Sequence, residues 1–353
     1  MISRRAMRWA VPVVVAIAVG GGLAISESMS ASAAPTDLPA RTPAQLVTAL
    51  ESAQVTPMSG TVVQNAKLGL PSLPSGLGGQ GSSDLSSMLA GAHTLRVWTG
   101  GPDKVRLALL GTLGESDVVY SGSNVWIWSS NHNSATHYLL PSGKRPEPVT
   151  PAMTPQQATA KLLASISPTT KVTVGSPVSV AGRAAYDLVI APRQAGSLIG
   201  SIHIAIDART HVPLRVQLYA TGATAPAFAV GYTQVSFGPQ SAREFQFTPP
   251  PGAKVTTKTV GAPDVRRSHP QPDVTTVGTG WSTVLVLHGA RPHQEGRGGG
   301  QLSTVLRDLP AVSGSWGSGH LLSSAVFTAL LTDDGRVLIG AVPPRTLYAA
   351  ASR

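Results

Sequence analysis

The chain has 353 residues, of which 42% are hydrophobic and only 12% are charged, and it contains no cysteine. A hydrophobic core is therefore expected, whereas disulfides, thiolate metal sites, iron–sulfur clusters and cysteine nucleophiles are excluded. The net charge of +10 reflects scarce acids rather than dense basic runs. We therefore expect no nucleic-acid partner, while contact with an anionic membrane surface is compatible with the charge.

The N-terminus has the pattern of an export signal. Three arginines within the first eight residues precede an uncharged stretch over residues 9–25, and Ala31-Ser32-Ala33 follows where a signal peptidase expects small side chains. We expect residues 1–33 to be a cleaved signal peptide. A retained N-terminal anchor is the alternative, because the stretch is at the lower length limit for a bilayer span. Both predict an exported protein of the periplasm or the extracytoplasmic cell envelope.

Two helices have complete start signals. Thr42-Pro43-Ala44-Gln45 and Thr154-Pro155-Gln156-Gln157 each provide a threonine cap, a proline at the first helical position and a glutamine three residues after the cap. Apolar side chains then recur at helical spacing along one face of each segment. We expect both helices to pack on a sheet.

A glycine- and proline-rich loop over residues 69–81 follows the first helix. It contains a formal G-x-G-x-x-G match, but prolines precede it where the dinucleotide-binding motif needs a strand, so we interpret it as a loop. Leu85, Met88 and Leu89 come next at helical spacing. Two interpretations of these three residues remain: a mobile flap, or a helical turn packed on the core.

From residue 95 to residue 247 most segments alternate between apolar and polar residues, which is typical of antiparallel strands. Turn residues such as Gly100-Gly101-Pro102-Asp103 separate many of them. The predicted strands cover residues 95–99, 104–110, 117–121, 124–129, 136–140, 171–180, 184–190, 201–207, 214–219, 228–237 and 244–247. So many neighbouring strands predict a large curved meander.

The sequence predicts two domains behind the signal. The first covers residues 34–262, and residues 263–278 have the aperiodic, proline-rich composition of a linker. Residues 279–353 are expected to form a small α+β domain. Its predicted elements are strands over 281–288, 324–331 and 336–342, a helix over 302–309, and a final helix that begins at Pro343-Pro344.

Catalytic motifs are absent from the sequence. It contains no G-x-S-x-G nucleophile elbow, H-E-x-x-H pair, phosphate-binding loop or EF-hand loop, and its nine histidines are scattered. We therefore predict no catalytic residue, no metal site, no cofactor and no enzyme activity. An exported hydrolase would require a Ser-His-Asp group assembled by the fold.

Several predicted strands are apolar on both faces. In Asn124-Val125-Trp126-Ile127-Trp128 the two tryptophans point to one side and Val125 and Ile127 to the other. A solvent-exposed antiparallel sheet is polar on one side, so both faces here must be covered. One cover is expected to be helical, and the other is either more protein, as in a sandwich core, or an apolar ligand.

Two segments carry a family resemblance. Residues 204–216, which include Ile206-Asp207-Ala208-Arg209-Thr210, and residues 245–253, Phe-Gln-Phe-Thr-Pro-Pro-Pro-Gly-Ala, resemble the closing strands of LolA-type outer-membrane lipoprotein-sorting proteins. Residues 337–347 resemble the end of the C-terminal domain of the RseB/MucB envelope-stress regulators. The resemblance implies a mainly β (α+β) chain: a curved antiparallel half-barrel with helices on its concave side, plus a small C-terminal α+β domain.

The resemblance also implies function. The leading hypothesis is a non-catalytic envelope protein that binds lipid or lipoprotein acyl chains in an apolar half-barrel cavity, as a carrier or chaperone. The alternative is an RseB/MucB-like regulator that senses lipid or lipoprotein and binds a membrane-bound anti-sigma factor. The candidate lining residues combine predicted strand positions with the candidate flap: Trp98, Trp126, Trp128, Tyr138, Leu188, Ile204, Leu85, Met88 and Leu89.

Overall fold

A computed structural model describes residues 38–53, 56–70, 83, 91–141, 168–259, 273–288 and 309–353. The predicted signal peptide, the candidate flap, the capped helix from Thr154 and most of the predicted helix over 302–309 lie outside these residues. Within the described part of the chain, no helix is long and apolar enough to cross a membrane.

The first capped helix forms as predicted. Helix α1, Pro43–Ser52, begins after Thr42, whose hydroxyl accepts a hydrogen bond from the Gln45 backbone N–H at 3.3 Å. The Gln45 side-chain carbonyl accepts one from the Thr42 N–H at 2.8 Å. Because both groups would otherwise lack partners at the helix start, this capping box fixes where α1 begins. Leu46 then points inward and is fully buried.

Thirteen strands of the described part of the chain form one large sheet. They are β1 Met58–Ala66, β2 Gly91–Thr99, β3 Lys104–Leu110, β4 Glu115–Ser121, β5 Asn124–Ser129, β6 Ser134–Leu139, β7 Thr170–Val174, β8 Val178–Val180, β9 Arg183–Pro192, β10 Ile199–Asp207, β11 Pro213–Ala220, β12 Pro226–Phe237 and β13 Lys254–Thr259. Their order is β13-β6-β5-β4-β3-β2-β1-β12-β11-β10-β9-β7, with β8 also paired to β9.

The large sheet consists of two meanders. Strands β1 to β6 follow one another in space as in sequence, and so do most of β7 to β12, while the antiparallel pair β1–β12 joins the two sets at the centre. Strand β13 is the edge strand on this side and pairs in parallel with β6. The predicted fold class, a mainly β chain with an open curved antiparallel sheet and a small C-terminal α+β unit, is confirmed.

The strand register assigns side chains to two faces, because directly paired residues point to the same side of a sheet. One face carries Val62, Leu95 and Leu109, and through β12, β11 and β10 it continues to Ile204 and Leu188. We call it the helix face, because Leu46 of α1 packs there against Tyr186, Leu188 and Ile206.

The opposite face is crossed by the chain on its way from β12 to β13. Residues 238–253 include a 3₁₀ helix, Ala242–Phe245, that contacts β3 and β4. We call this side the crossover face. The strand predicted over residues 244–247 is therefore wrong. Residues 244–245 belong to a helical turn capped by Ser241, residues 246–247 are in no strand, and the Phe245 ring is buried against Gly100.

A second sheet forms the C-terminal unit. Its strands are β14 Asp273–Val277, β15 Val284–His288, β16 Ala311–Gly314, β17 Gly317–Ser323, β18 Thr328–Thr332 and β19 Val337–Gly340, in the order β14-β15-β19-β18-β17-β16. Helix α2, Pro344–Ala351, packs on one face, where Leu330, Leu338 and Leu347 are fully buried. The start of α2 confirms the final predicted helix.

Strand β14 corrects the predicted linker. Asp273–Val277 lies inside the predicted linker over residues 263–278, but it pairs with β15 along its whole length. Threonine and valine favour extended backbone, and the strand is an exposed edge, with Val274 51% exposed. Its solvent-facing composition resembles a linker, although its backbone is part of the sheet.

The two sheets contact each other through backbone and side-chain hydrogen bonds. The Leu198 N–H donates to the Ala341 carbonyl at 2.7 Å, and the Ala325 N–H donates to the Leu68 carbonyl at 2.7 Å. The indole N–H of Trp281 donates to the Thr170 hydroxyl at 2.9 Å. These contacts connect the second sheet to the β7 and β10 region and to the end of β1.

Candidate functional site

The register divides the predicted lining residues between the two faces. Tyr138 pairs with Val125 and lies on the helix face, together with Leu188 and Ile204. Trp126, Trp128 and Trp98 lie on the crossover face. The predicted set therefore does not form one lining, because it combined odd and even positions of neighbouring strands.

The structure also separates the residues that share the helix face. Leu188 is buried in the cluster with α1, and Ile204 packs against the same cluster. Tyr138 lies on β6, at the far end of the sheet order, where it is half-buried beneath the ammonium of Lys258. Leu85, Met88 and Leu89 lie outside the described residues, so their role as a flap stays a prediction.

Two of the tryptophans are covered by the protein itself. The Trp126 ring stacks on His137, with ring centroids 4.0 Å apart, and its centroid lies 5.4 Å from that of Phe247. The Trp128 centroid lies 6.0 Å from that of Phe247. His137 is held in place by a 2.9 Å hydrogen bond with Asn124. On this part of the crossover face the sandwich-like alternative applies, because the crossover segment packs on the rings.

Trp98 stands in a different, charged environment. Arg106 lies over its ring at 5.2 Å from the centroid and binds Asp117 through two hydrogen bonds of 3.0 and 3.3 Å. Burial, and then the negative charge of Asp117, raise the pKa of Glu115, which lies 3.6 Å from Arg106. This cluster holds Trp98 among polar groups rather than within an apolar lining.

The centre of the helix face is apolar. Val62, Leu95, Leu109 and Val230 form a buried cluster. Partly buried hydrophobic side chains surround it: Val97, Val216, Phe228 and Tyr232. By register the apolar surface continues across β3, β4 and β5 through half-buried Leu107, Val118 and Ile127. This is a broad surface that an acyl chain could contact.

Buried polar side chains also lie inside this apolar surface, among them an amide and an imidazole. Gln64 and His93 are directly paired on β1 and β2, and each is only 1% exposed. Neither polar atom of the Gln64 amide has a hydrogen-bond partner among the described residues. Burial lowers the pKa of His93 to about 4, so its imidazole is neutral at physiological pH. The pair can hydrogen-bond a neutral polar group, such as a carbonyl, but cannot act as a cation.

Sequence reasoning missed Gln64 and His93. The sequence did contain a clue to His93: it lies two and four residues before Leu95 and Val97, so on a strand it points to the same buried face as they do.

The residues that the structure describes contain no group of three histidines or acids able to hold a metal ion. His203 and Asp187 form an isolated pair at 2.8 Å.

Comparisons with known proteins concern the fold. No protein-family model and no curated protein matches the chain. Two structures of MucB bound to MucA, one from Pseudomonas aeruginosa, match with a TM-score of 0.46 and 18% identity, and cover 88% of this chain and 96% and 97% of the matched chains. A LolA superfamily protein from Nitrosomonas europaea matches with a TM-score of 0.20 and 11% identity over 59% of this chain and 99% of that chain. Both families that the sequence resembles are among the matches, and at these identities the likeness is one of fold alone.

Proposed function

We propose that this chain is a non-catalytic, exported envelope protein that binds the acyl chain of a lipid or lipoprotein on the helix face of the large sheet. The observation that supports this most is the apolar surface around Val62, Leu95 and Leu109, which extends through half-buried side chains toward β5. A surface of this kind recognises a ligand by apolar area and needs few oriented polar groups.

The expected affinity follows from burial of methylene groups. Each CH₂ removed from water contributes about 0.8 kcal/mol, so a chain that buries about twelve methylenes gains roughly 10 kcal/mol before the cost of association. Gln64 and His93 would give this surface a neutral polar point. A fatty acyl ester or amide has the matching chemistry, because its carbonyl accepts a hydrogen bond and carries no charge.

The helix face is the better candidate of the two. On the crossover face Trp126 and Trp128 pack against Phe247 of the chain itself, so an acyl chain would have to displace this segment. On the helix face Val62, Leu95 and Leu109 are buried at the centre, but Val97, Val118 and Ile127 beside them keep partial exposure, and an acyl chain would contact this half-buried part. Lining roles for half-buried Tyr138 and Ile204 belong to this proposal. Those for the three tryptophans, and for Leu188, which is buried against α1, do not.

Lipid extraction tests the proposal directly. Mass spectrometry of solvent extracts from the purified protein should detect co-purified lipid, and the delipidated protein should enhance the emission of a fluorescent fatty-acid probe. Val97→Asp, which places a charge on the helix face, should abolish probe binding. Thr94→Asp places the same charge on the crossover face of the same strand and should leave binding unchanged. A correctly folded protein that retains no lipid and binds no probe would refute the proposal.

Regulation is the second candidate, and the attached second sheet is the observation that favours it. This sheet has its own buried core and contacts the large sheet at several points. The sequence resemblance implies a membrane-bound anti-sigma factor as the partner. Pull-down from envelope extracts with the full chain and with a chain lacking residues 273–353 distinguishes the roles. A regulator loses a specific partner on truncation, whereas a pure carrier keeps its lipid and has no such partner.

A further inference from the structure

A groove of about 220 Å³ follows β1 on the crossover face, on the opposite side of the sheet from the acyl-binding surface proposed above. Its floor is made by the small side chains of Ser59 and Thr61. The register places Ser59 between Trp98 on β2 and Ser236 on β12. Thr61 lies between Arg96 and Gln234 in the same way. The longer side chains of Trp98 and Arg96 on β2 therefore form one wall of the groove. On β12 Gln234 forms part of the other wall, which is lower at Ser236.

A β-bulge shapes the groove. The pairing of β1 with β12 shifts between Thr61 and Val62, where Thr233 is the extra residue and its hydroxyl donates to the Thr61 carbonyl at 3.3 Å. Gly60 permits β12 to approach β1 closely at this bulge, because a Cβ on residue 60 would lie 2.7 Å from the Tyr232 ring. Bulges bend a strand and redirect its side chains, and they are common beside binding sites.

The Trp98 ring is held before any ligand arrives. Arg106 lies over it at 5.2 Å, and Asp117 fixes that guanidinium through two hydrogen bonds. Because β3 and β1 flank β2 on opposite sides, Arg106 supports the ring from the side away from the groove. A ring that is already ordered loses little conformational entropy on binding.

Arg96 supplies a charge that has no direct ion-pair partner in the described part of the chain, although its longer-range attraction to the Glu115 carboxylate opposes the rise in the pKa of that group. Its guanidinium is exposed and lies over the Trp98 ring, 5.7 Å from the centroid. Among the described residues it makes no hydrogen bond and no ion pair, whereas Arg106 is matched by Asp117, Glu115 and Glu244. Its planar donors can therefore bind a carboxylate in two parallel hydrogen bonds.

We propose that this groove binds a sugar that carries a carboxylate. The apolar C–H face of a pyranose packs on an aromatic ring such as Trp98, and its hydroxyls match the hydroxyl and amide groups of the lining: Ser59, Thr61, Gln234 and Ser236. Arg96 turns from the Trp98 ring to pair with the carboxylate, which opens the ring to the sugar. One guanidinium suits a singly charged group better than a phosphate dianion, and the volume is below the roughly 300–1,000 Å³ of pockets that enclose drug-sized ligands. The groove therefore contacts about one sugar unit at a time.

Calorimetric titration of the purified protein with an oligomer of glucuronic acid, and with the glucose oligomer of equal length, tests the proposal. We expect saturable binding of the acidic oligomer and weaker binding of the neutral one. Arg96→Ala should lower the affinity for the acidic oligomer about tenfold and leave the neutral one unchanged. Trp98→Ala should weaken both. Arg209→Ala removes an exposed arginine at a distant turn and should change neither.

Ser59→Leu provides a second variant that fills the floor and keeps the Trp98–Arg106 contact. It should block both sugars while thermal unfolding stays unchanged. The proposal is overturned if neither oligomer binds at millimolar concentration, if Ser59→Leu binds like the wild type, or if Arg96→Ala weakens both oligomers equally. Binding of phosphatidylglycerol vesicles without sugar binding would also overturn it, in favour of a membrane surface.

Discussion

Acidification should destabilise the large sheet through His93. The side chain is 1% exposed, and burial lowers its pKa from 6.5 to about 4. The unfolded chain takes up this proton near pH 6.5, whereas the folded chain resists it until about pH 4. Between these values the unfolded state binds more protons, so the free energy of unfolding falls as the pH falls. This contribution to stability is complete above pH 6.5 and is lost progressively below it.

The size of the effect follows from the shift. Each pKa unit corresponds to about 1.4 kcal/mol, so His93 should reduce the free energy of unfolding by about 3 kcal/mol between pH 7 and pH 4. Urea denaturation of the wild type and of His93→Gln at several pH values measures it. Other titrating groups are shared by both proteins and cancel in the difference. His93→Gln should therefore show a smaller loss by about 3 kcal/mol.

A matched control sharpens this test. His132→Gln replaces an exposed histidine in the turn between β5 and β6 and should keep the pH dependence of the wild type. If His93→Gln and the wild type lose the same stability on acidification, the imidazole is not buried in the folded state. The description of the helix-face centre would then be wrong.

Three further predictions concern stability. Thr42→Ala should remove the capping box of α1 and lower the free energy of unfolding in urea by about 1 kcal/mol, and an unchanged midpoint would contradict that role. Asp207→Asn should lower the free energy of unfolding by about 3 kcal/mol in the same assay, because the 1% exposed carboxylate is the ion-pair partner of Arg183. If adding Arg183→Ala to this variant lowers the free energy of unfolding by as much again, the two residues are not coupled. Trp281→Phe should remove the hydrogen bond to Thr170 and lower the free energy of unfolding by about 1 kcal/mol, because the two backbone hydrogen bonds between the sheets remain. An unshifted calorimetric transition would show that this contact does not stabilise the pairing of the sheets.

Strands with clear alternation could be predicted from the sequence, and the central strand could not. Strands β10 and β11 were located because apolar and polar residues alternate along Ile199–Asp207 and Pro213–Ala220. Strand β1, Met58–Ala66, contains serine, glycine, glutamine and asparagine and shows no such period. Its backbone is extended because β2 and β12 pair with it on both sides, and such pairing depends on residues far away in sequence.

The candidate site shows the same limit. Alternation predicted correctly that Trp126 and Ile127 point to opposite sides, but it did not relate Trp126 to Tyr138 on the next strand. That relation requires the register, in which a shift by one residue exchanges the faces. The groove beside Trp98 was even less accessible, because it depends on a bulge between strands about 170 residues apart.

The pairing of β1 with β12 has a consequence for the newly made chain. Strand β1 pairs with β2 on one side within the first meander, but its other edge is free until β12 has been synthesised, about 160 residues later. An unpaired edge can join another chain, so concentrated nascent or refolding protein is exposed to edge-to-edge aggregation during this interval. The same topology allows the chain to be cut between β6 and β7. Co-expressed halves should reassemble through the β1–β12 pair, and each half alone should aggregate.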